Sequence, residues 1–232
     1  MRSLADRTIA EEQMDAADLP PDVYRQVLAN LAQVNAMTMA ARPTLAFLGR
    51  ALAGRKRFRL LDVGFGHGDM LRHIAVWAKR RGIVAGLVGI DCNPNSATVA
   101  AAATDPGFPI DYRTGDYRDL AGEGFDVIAS SLVAHHMSRP ELIDFLRFME
   151  REAQAGWIIN DLHRQRFPYL GFPLLARLMG WHRIVREDGQ LSIARAFRAA
   201  EWHELINEAG LADADIRVAR RFPFRLCVER LR

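Results

Sequence analysis

Five short apolar runs, at residues 58–63, 86–90, 109–113, 125–129 and 156–159, are separated by helical stretches. This alternation limits the fold more than any other feature of the chain. The runs are too short for helices and are closed by turn residues, so they read as strands. Helices are expected at 69–81, 95–103 and 140–152. Strands alternating with helices build a parallel sheet wrapped on both sides, an α/β fold. After the fifth run the pattern changes. Residues 167–194 are apolar, aromatic and studded with arginine, and 200–209 read as a helix stopped by Gly210. Residues 215–219 and 225–228 read as two strands joined at Phe222-Pro223, which suggests an antiparallel end to the sheet.

The region before the first strand has another character. Residues 1–20 are polar and end in Leu19-Pro20-Pro21, a helix entry. From 22 to 53 the chain reads helical, with Val23, Val27, Leu28 and Leu31 on one face, and Arg42-Pro43 is expected to break it. The expected organisation is an N-terminal helical cap over 1–54 and a core over 55–232, with a lid at about 164–198. With 232 residues, half of them hydrophobic and a quarter charged, the chain can bury a full core without disulfide or metal. Disordered, collagen-like and coiled-coil classes are excluded.

No apolar run approaches the roughly 18 residues of a membrane span. The opening MRSLADRTIAEEQ lacks the pattern of a secretory signal. A net charge of +3, interleaved apart from a short knot at Arg55, Lys56, Arg57 and Arg59, argues against nucleic acid as partner. Cys92 and Cys227 form no CxxC pair and read as free thiols of a reducing compartment, so cytoplasm is expected.

In such a sheet ligands sit at the carboxyl ends of the strands. After the first strand stand Asp62, Gly64, Phe65, Gly66, Gly68 and Asp69. A dinucleotide site needs glycine at positions one, three and six, and position six is Asp69. Glycine at one, three and five, with an aspartate two before the first, instead suits S-adenosylmethionine, the Asp62 carboxylate meeting the methionine ammonium. After the second strand Asp91 can accept from both ribose hydroxyls, or alternatively cap the next helix, a task open to Asn93 or Asn95 as well. Cys92 follows it. After the third, Asp116 can accept the adenine amine and Tyr117 offer its backbone amide, or both can form an ordinary turn. After the fourth come Ser131, small enough for close cofactor approach, and the adjacent His135 and His136, candidate general bases or a packing pair. After the fifth come Asp161 and His163, a third candidate base. A metal site is not expected. Adjacent histidines point in different directions, and no cysteine cluster or HExxH helix supports His135, His136 and His163.

The segments LLDVGFGHGDML (60–71), GIDCNPNS (89–96), TGDYRDL (114–120) and FDVIASSLVAHHM (125–137) together resemble the class I S-adenosylmethionine-dependent methyltransferases, in the family's order and spacing. The resemblance covers roughly 55–230. It implies a Rossmann-like, doubly wound, seven-stranded sheet with its last strand antiparallel. The residues at 11–15 and 24–35, with 160–164 and 167–170, look like bacterial methyltransferases associated with type III polyketide synthases, which act on resorcinol-like or quinone-like products.

The resemblance implies S-adenosylmethionine as cofactor, held by Asp62, Gly64, Phe65, Gly66, Gly68, Asp91, Cys92, Asp116, Tyr117 and Ser131. It also implies methyl transfer to a small hydrophobic or phenolic acceptor, with oxygen as the expected atom and His135, His136 and His163 as catalytic candidates. Phe167, Tyr169, Phe172, Leu174, Leu175, Leu178, Met179 and Trp181 are expected to wall the acceptor pocket, closed by Asn35 and Arg42 from the other side. An RNA or protein methyltransferase, or a module that binds the cofactor without chemistry, are the competing readings. The oligomeric state stays open.

Overall fold

The computed structural model describes residues 4–16 and 18–232. Among these, seven strands form one sheet: β1 (Arg57–Val63), β2 (Val84–Asp91), β3 (Ile110–Thr114), β4 (Phe125–Ser131), β5 (Ala153–Leu162), β6 (Ile216–Arg221) and β7 (Arg225–Leu231). Their order is β3-β2-β1-β4-β5-β7-β6. The first five run parallel, and β7 is antiparallel to both β5 and β6. This is the expected α/β, Rossmann-like doubly wound sheet. Strand order reverses between β1 and β4, and the crevice above that switch point is where such sheets bind ligands.

The helices are α1 (Pro21–Met37), α2 (Ala41–Ala51), α3 (Asp69–Arg80), α4 (Pro94–Ala102), α5 (Arg139–Glu152), α6 (Arg166–Leu178), α7 (Arg183–Arg195) and α8 (Ala199–Glu208). Side-chain alternation along the strands divides them into layers. Leu60 faces a core made with Phe47 and Leu48 of α2, Leu71 and Ile74 of α3, and Ala100 of α4. Its neighbour Leu61 faces the opposite core, with Phe145 of α5 and Trp202 of α8. A third, smaller cluster joins Val27 of α1 to Ala176, Trp181, Ile184 and Val185, and so ties α1 to α6 and α7. These helices roof the carboxyl ends of the strands.

Two details differ from expectation. The long N-terminal helix breaks before Ala41, with Met39 in the left-handed region at φ 50°, and not at Arg42-Pro43. Pro43 falls in the first turn of α2, where its missing N–H leaves no helical bond unmade. Residues 167–194, for which the strand pattern offers no partner, form α6 and α7. Phe167, Leu174, Leu178 and Met179 are exposed to solvent rather than lining a pocket. The face α6 turns inward is that of Phe172 and Ala176, Phe172 stacking on Trp181 at 6.3 Å. Arg42 donates to Met39 Sδ and is not among the residues of the cleft wall.

Both cysteines are free, Cys92 exposed and Cys227 buried. Among the described residues, no helix is long and apolar enough to cross a membrane.

The described residues before α1, 4–16 and 18–20, form a strap across the roof. Arginine side chains from elsewhere in the chain hold its backbone. Arg164 Nε donates to Leu4 O at 3.2 Å and Arg195 Nη1 donates to Ala10 O at 2.6 Å. Asp188 of α7 accepts from the amides of Gln13 and Met14 at 3.1 and 2.9 Å. In return Arg7 donates to the carbonyls of His135 and Met137 at 2.7 and 2.8 Å. The strap is thus pinned to the turn that follows β4.

Candidate active site

Between the strand ends and the roof lies a cleft of about 870 Å³, near the upper end of the usual range for small-molecule sites. Every residue named for cofactor or catalysis lines it except Gly68. Gly68 sits behind the wall as the left-handed residue before α3, where a β-carbon would come 2.5 Å from the Tyr112 hydroxyl. Gly68 thus packs against Tyr112 and is not among the residues that line the cleft.

The loop from β1 to α3 builds one end of the cleft. Gly64 has φ 75°, and a β-carbon there would stand 2.3 Å from Val133 Cγ2. Both facts demand glycine. Gly66 has φ 50° and turns its amide to Asp91, whose Oδ2 accepts from it at 2.9 Å. Asp91 Oδ1 accepts from Asn93 N at 2.9 Å, and Asn93 in turn caps α4 by accepting from Asn95 N at 3.0 Å. The helix cap therefore falls to Asn93. Asp91 braces the glycine loop and keeps further acceptor capacity toward the cleft.

Asp62, at the end of β1, is 2% exposed, and its Oδ1 has no hydrogen-bond partner. Burial, and then the charges of Asp69 and Asp91, push its carboxyl well above the usual range. A buried carboxyl with an unused oxygen among other carboxylates is a seat for a cation. Arg225 also lines the cleft, is buried, and leaves Nη1 without a partner. Burial lowers its pKa, with Asp161 and Asp69 opposing. Two unpartnered groups of opposite charge thus belong to residues that line one cavity.

Asp116, expected to receive adenine, is held by Arg118, whose Nε lies 3.0 and 3.1 Å from its two oxygens. Partial burial would raise its carboxyl, but the Arg118 bonds keep it below the ordinary value. The Tyr117 ring packs edge-on against Phe145 and Phe148, both at 4.9 Å, which fixes the backbone of that turn. Cys92 and Ser131 stand at the ends of β2 and β4 on the cleft wall.

The other end of the cleft carries the histidines. His135 and His136 lie in a single 3₁₀ turn, so their rings are 4.3 Å apart and tilted by 40°. They do not diverge, as adjacency in sequence suggests. His135 Nδ1 lies 2.7 Å from Asp161 Oδ1, and its backbone N–H donates to Asp161 Oδ2 at 2.9 Å. Burial would raise Asp161, but the His135 and Leu162 bonds hold it below the usual carboxylate value. His136 Nδ1 lies 2.8 Å from Asp15 Oδ2. Burial alone would lower His136; the Asp15 hydrogen bond and the charges of Glu12 and Asp15 outweigh it and raise the pKa.

His163 is apart from this pair. Its Nδ1 meets Gln165 Nε2 at 2.6 Å, and burial with the charges of Arg220, Arg198 and Arg164 lowers its pKa. The strap adds Glu12 and Asp15, residues that the sequence motifs do not single out as functional. The only signal for them is the run at 11–15 within the finer resemblance. Asn35 lines the cleft as expected and donates to Asp69 Oδ2 at 3.1 Å.

Comparison with known proteins gives a consistent picture. Residues 60–156 match the family described as methyltransferase domain. No curated protein sequence matches the chain. The fold is similar to that of magnesium protoporphyrin IX methyltransferase from Synechocystis PCC 6803 with bound SAH, at 16% identity and TM-score 0.55 over 95% of this chain and 91% of that one. It is also similar to the plantazolicin methyltransferase BpumL in complex with SAH, at 14% identity and TM-score 0.67 over 93% and 92%. Human N-acetylserotonin methyltransferase in complex with SAM shares 14% identity at TM-score 0.62, over 92% of this chain and 56% of that one. Residues 60–156 thus resemble a methyltransferase domain, and the sheet they belong to has the Rossmann-like fold of these solved methyltransferases.

Proposed function

We propose that the chain moves a methyl group from S-adenosylmethionine to the oxygen of a small hydrophobic, phenolic or quinone-like acceptor. The observation that carries the cofactor reading is the pair of unused buried groups, Asp62 Oδ1 and Arg225 Nη1, on two residues that line the glycine-loop cleft. A methionine tail carries an ammonium and a carboxylate, the two charges that this pair lacks. Asp91, already fixed by Gly66 and Asn93, has acceptor capacity for ribose hydroxyls. Cys92, Asp116, Tyr117 and Ser131 continue the wall on the adenosine side. When bound, S-adenosylmethionine supplies a methyl group activated by its sulfonium charge.

The protein's part is alignment and control of one proton. Leu28 and Leu31 of α1 and Ile184, Val185 and Ile193 of α7 form the apolar roof over an acceptor. The acceptor hydroxyl then faces the polar end, where His135 and His136 stand with their Nδ1 atoms engaged by carboxylates. A phenol titrates near roughly 10 and an imidazole near roughly 6.5, so ionising the acceptor is the harder part of the reaction. His163, paired with Gln165, borders the entrance. The likeness of the strap and α1 to methyltransferases associated with type III polyketide synthases supports a polyketide-type acceptor.

Mass spectrometry of resorcinols, quinols and pyrones incubated with methyl-labelled S-adenosylmethionine tests the reading. Label is expected on oxygen of at least one phenolic acceptor. Label found only in RNA or protein, or transferred to nothing while the cofactor binds, would overturn it.

A further inference from the structure

His135, His136 and Glu12 meet at the roofed end of the cleft, from two chain segments about 120 residues apart. Each imidazole is oriented by a carboxylate: Asp161 on His135 Nδ1 and Asp15 on His136 Nδ1. A carboxylate can only accept, so each Nδ1 carries the hydrogen. In the neutral ring Nε2 then presents a lone pair. Both Nε2 atoms face Glu12, at 3.7 Å from Oε1 and 3.8 Å from Oε2. These distances are too long for hydrogen bonds. All three ligand atoms lie within 4.8 Å of one another.

The gap has a characteristic size. Ligands at about 2.0–2.2 Å from a shared tetrahedral ion stand roughly 3.4 Å apart; the two imidazole–carboxylate distances exceed this by a few tenths of an ångström, and the three ligand atoms fall within 4.8 Å of one another. A carboxylate on the far nitrogen of a ligating histidine is the usual second shell of a metal site. Here both histidines have one.

Among the described residues no cationic side chain donates a hydrogen bond to Glu12. Glu12 is 3% exposed, and Oε1 accepts from Ser192 Oγ at 2.9 Å. The nearest guanidinium nitrogen, Arg195 Nε, stands 3.8 Å from Oε1. It donates instead to His135 O, while the two terminal nitrogens of Arg195 donate to Ala10 O and His136 O.

We propose that Glu12, His135 and His136 bind a divalent transition-metal ion of the zinc type, with an open coordination position toward the cleft. Two nitrogens, one carboxylate and an open position are the ligand set of catalytic zinc. This proposal departs from the expectation of no metal at two points. The 3₁₀ turn brings adjacent imidazoles to one side, and the third ligand is Glu12 rather than His163.

The role of the ion rests on the methyltransferase reading above. The acceptor hydroxyl takes the open position and loses its proton to solvent water. The ionised oxygen forms its bond to the methyl carbon as the carbon–sulfur bond breaks, and that electron pair stays on sulfur as a neutral thioether. Zinc brings bound water from 15.7 to about 7, so a coordinated phenol is ionised near neutrality. Neither imidazole has to take the proton.

The test is cobalt(II) and zinc(II) titration of the full chain after chelator treatment. Visible absorption of cobalt and calorimetry with zinc give the readouts, and SAH binding serves as the check that each variant is folded. Wild type is expected to bind one equivalent, with the intense visible band of four-coordinate cobalt. Glu12→Gln and His136→Ala should each weaken binding at least 100-fold, and Asp15→Asn about 10-fold. Absence of stoichiometric metal in wild type, or affinity unchanged in Glu12→Gln and His136→Ala variants that still bind SAH, overturns the site. The two readings fail separately. Full methyl transfer by metal-free protein removes the metal and keeps the methyltransferase; a cobalt band without transfer to any acceptor does the reverse.

Discussion

The two ends of the cleft are built differently. The end proposed for the cofactor is mostly local: Asp62, Gly64 and Gly66 lie at the end of β1 and in the loop after it, Asp91 and Asn93 at the end of β2 and just beyond it, with Arg225 of β7 the long-range exception. The acceptor end is assembled at long range. Its histidines come from the turn after β4, Asp161 from β5, Glu12 and Asp15 from the strap, and its apolar roof from α1 and α7. Backbone conformation dominates the first, and side-chain convergence the second. Mutations should separate them accordingly.

The largest effect is expected at Gly64. Gly64→Val combines a positive φ with a β-carbon 2.3 Å from Val133 Cγ2. About 3 kcal/mol or more of stability should be lost, together with SAH binding by calorimetry. Gly66→Val is milder for the fold, because the nearest neighbour to its β-carbon is Leu28 Cδ2 at 3.6 Å. It should abolish SAH binding with helix content unchanged by circular dichroism. Retained affinity in either variant would contradict the glycine-loop assignment.

His135→Ala probes the opposite end. Turnover should fall by roughly 100-fold or more, while SAH affinity stays within a factor of about three. Loss of both together would show that the two ends are not separable. Asp91→Ala should give the mirror result, costing about 1.5–3 kcal/mol in SAH affinity through the lost charged hydrogen bonds.

Asp62→Asn sharpens the comparison through pH. The folded carboxyl binds its proton more tightly than the unfolded one. Its stabilising contribution is therefore fully present below roughly pH 4 and is lost as pH rises through the raised folded value. The asparagine variant lacks that loss. In thermal melts without ligand at neutral pH it should melt higher than wild type, yet bind S-adenosylmethionine more weakly. Cationic ligand favours ionised Asp62, so wild-type binding should release a proton, visible in calorimetry across buffers of different ionisation enthalpy. The smallest effect belongs to His163→Ala, whose partner Gln165 lies outside the carboxylate network. A turnover change beyond a few-fold there would move the chemistry toward the entrance.

Legibility in the amino-acid sequence follows the same division. Strand–helix alternation, the glycine register and Asp91 are local, and each stands where its spacing placed it. Glu12 has no local signature. Its meaning appears only when the strap lies beside the turn after β4, and no period in the sequence encodes that. Adjacency misleads at His135-His136, because the directions of neighbouring side chains depend on whether the turn is extended or 3₁₀. The apolar content of α6 misleads as well. Phe167, Leu174 and Leu178 have the composition of a pocket wall, but the helix turns them outward. Composition shows that a face is greasy, and only packing shows which way it looks.

The strap is moored largely by guanidinium groups reaching peptide oxygens, whereas the two sheet cores are held by buried aromatic and aliphatic residues. Denaturant should therefore peel the strap before it melts the sheet. On the proposed function, low urea would then leave the nucleoside bound while removing Glu12 and Asp15 from the two histidines, silencing transfer without unfolding the sheet.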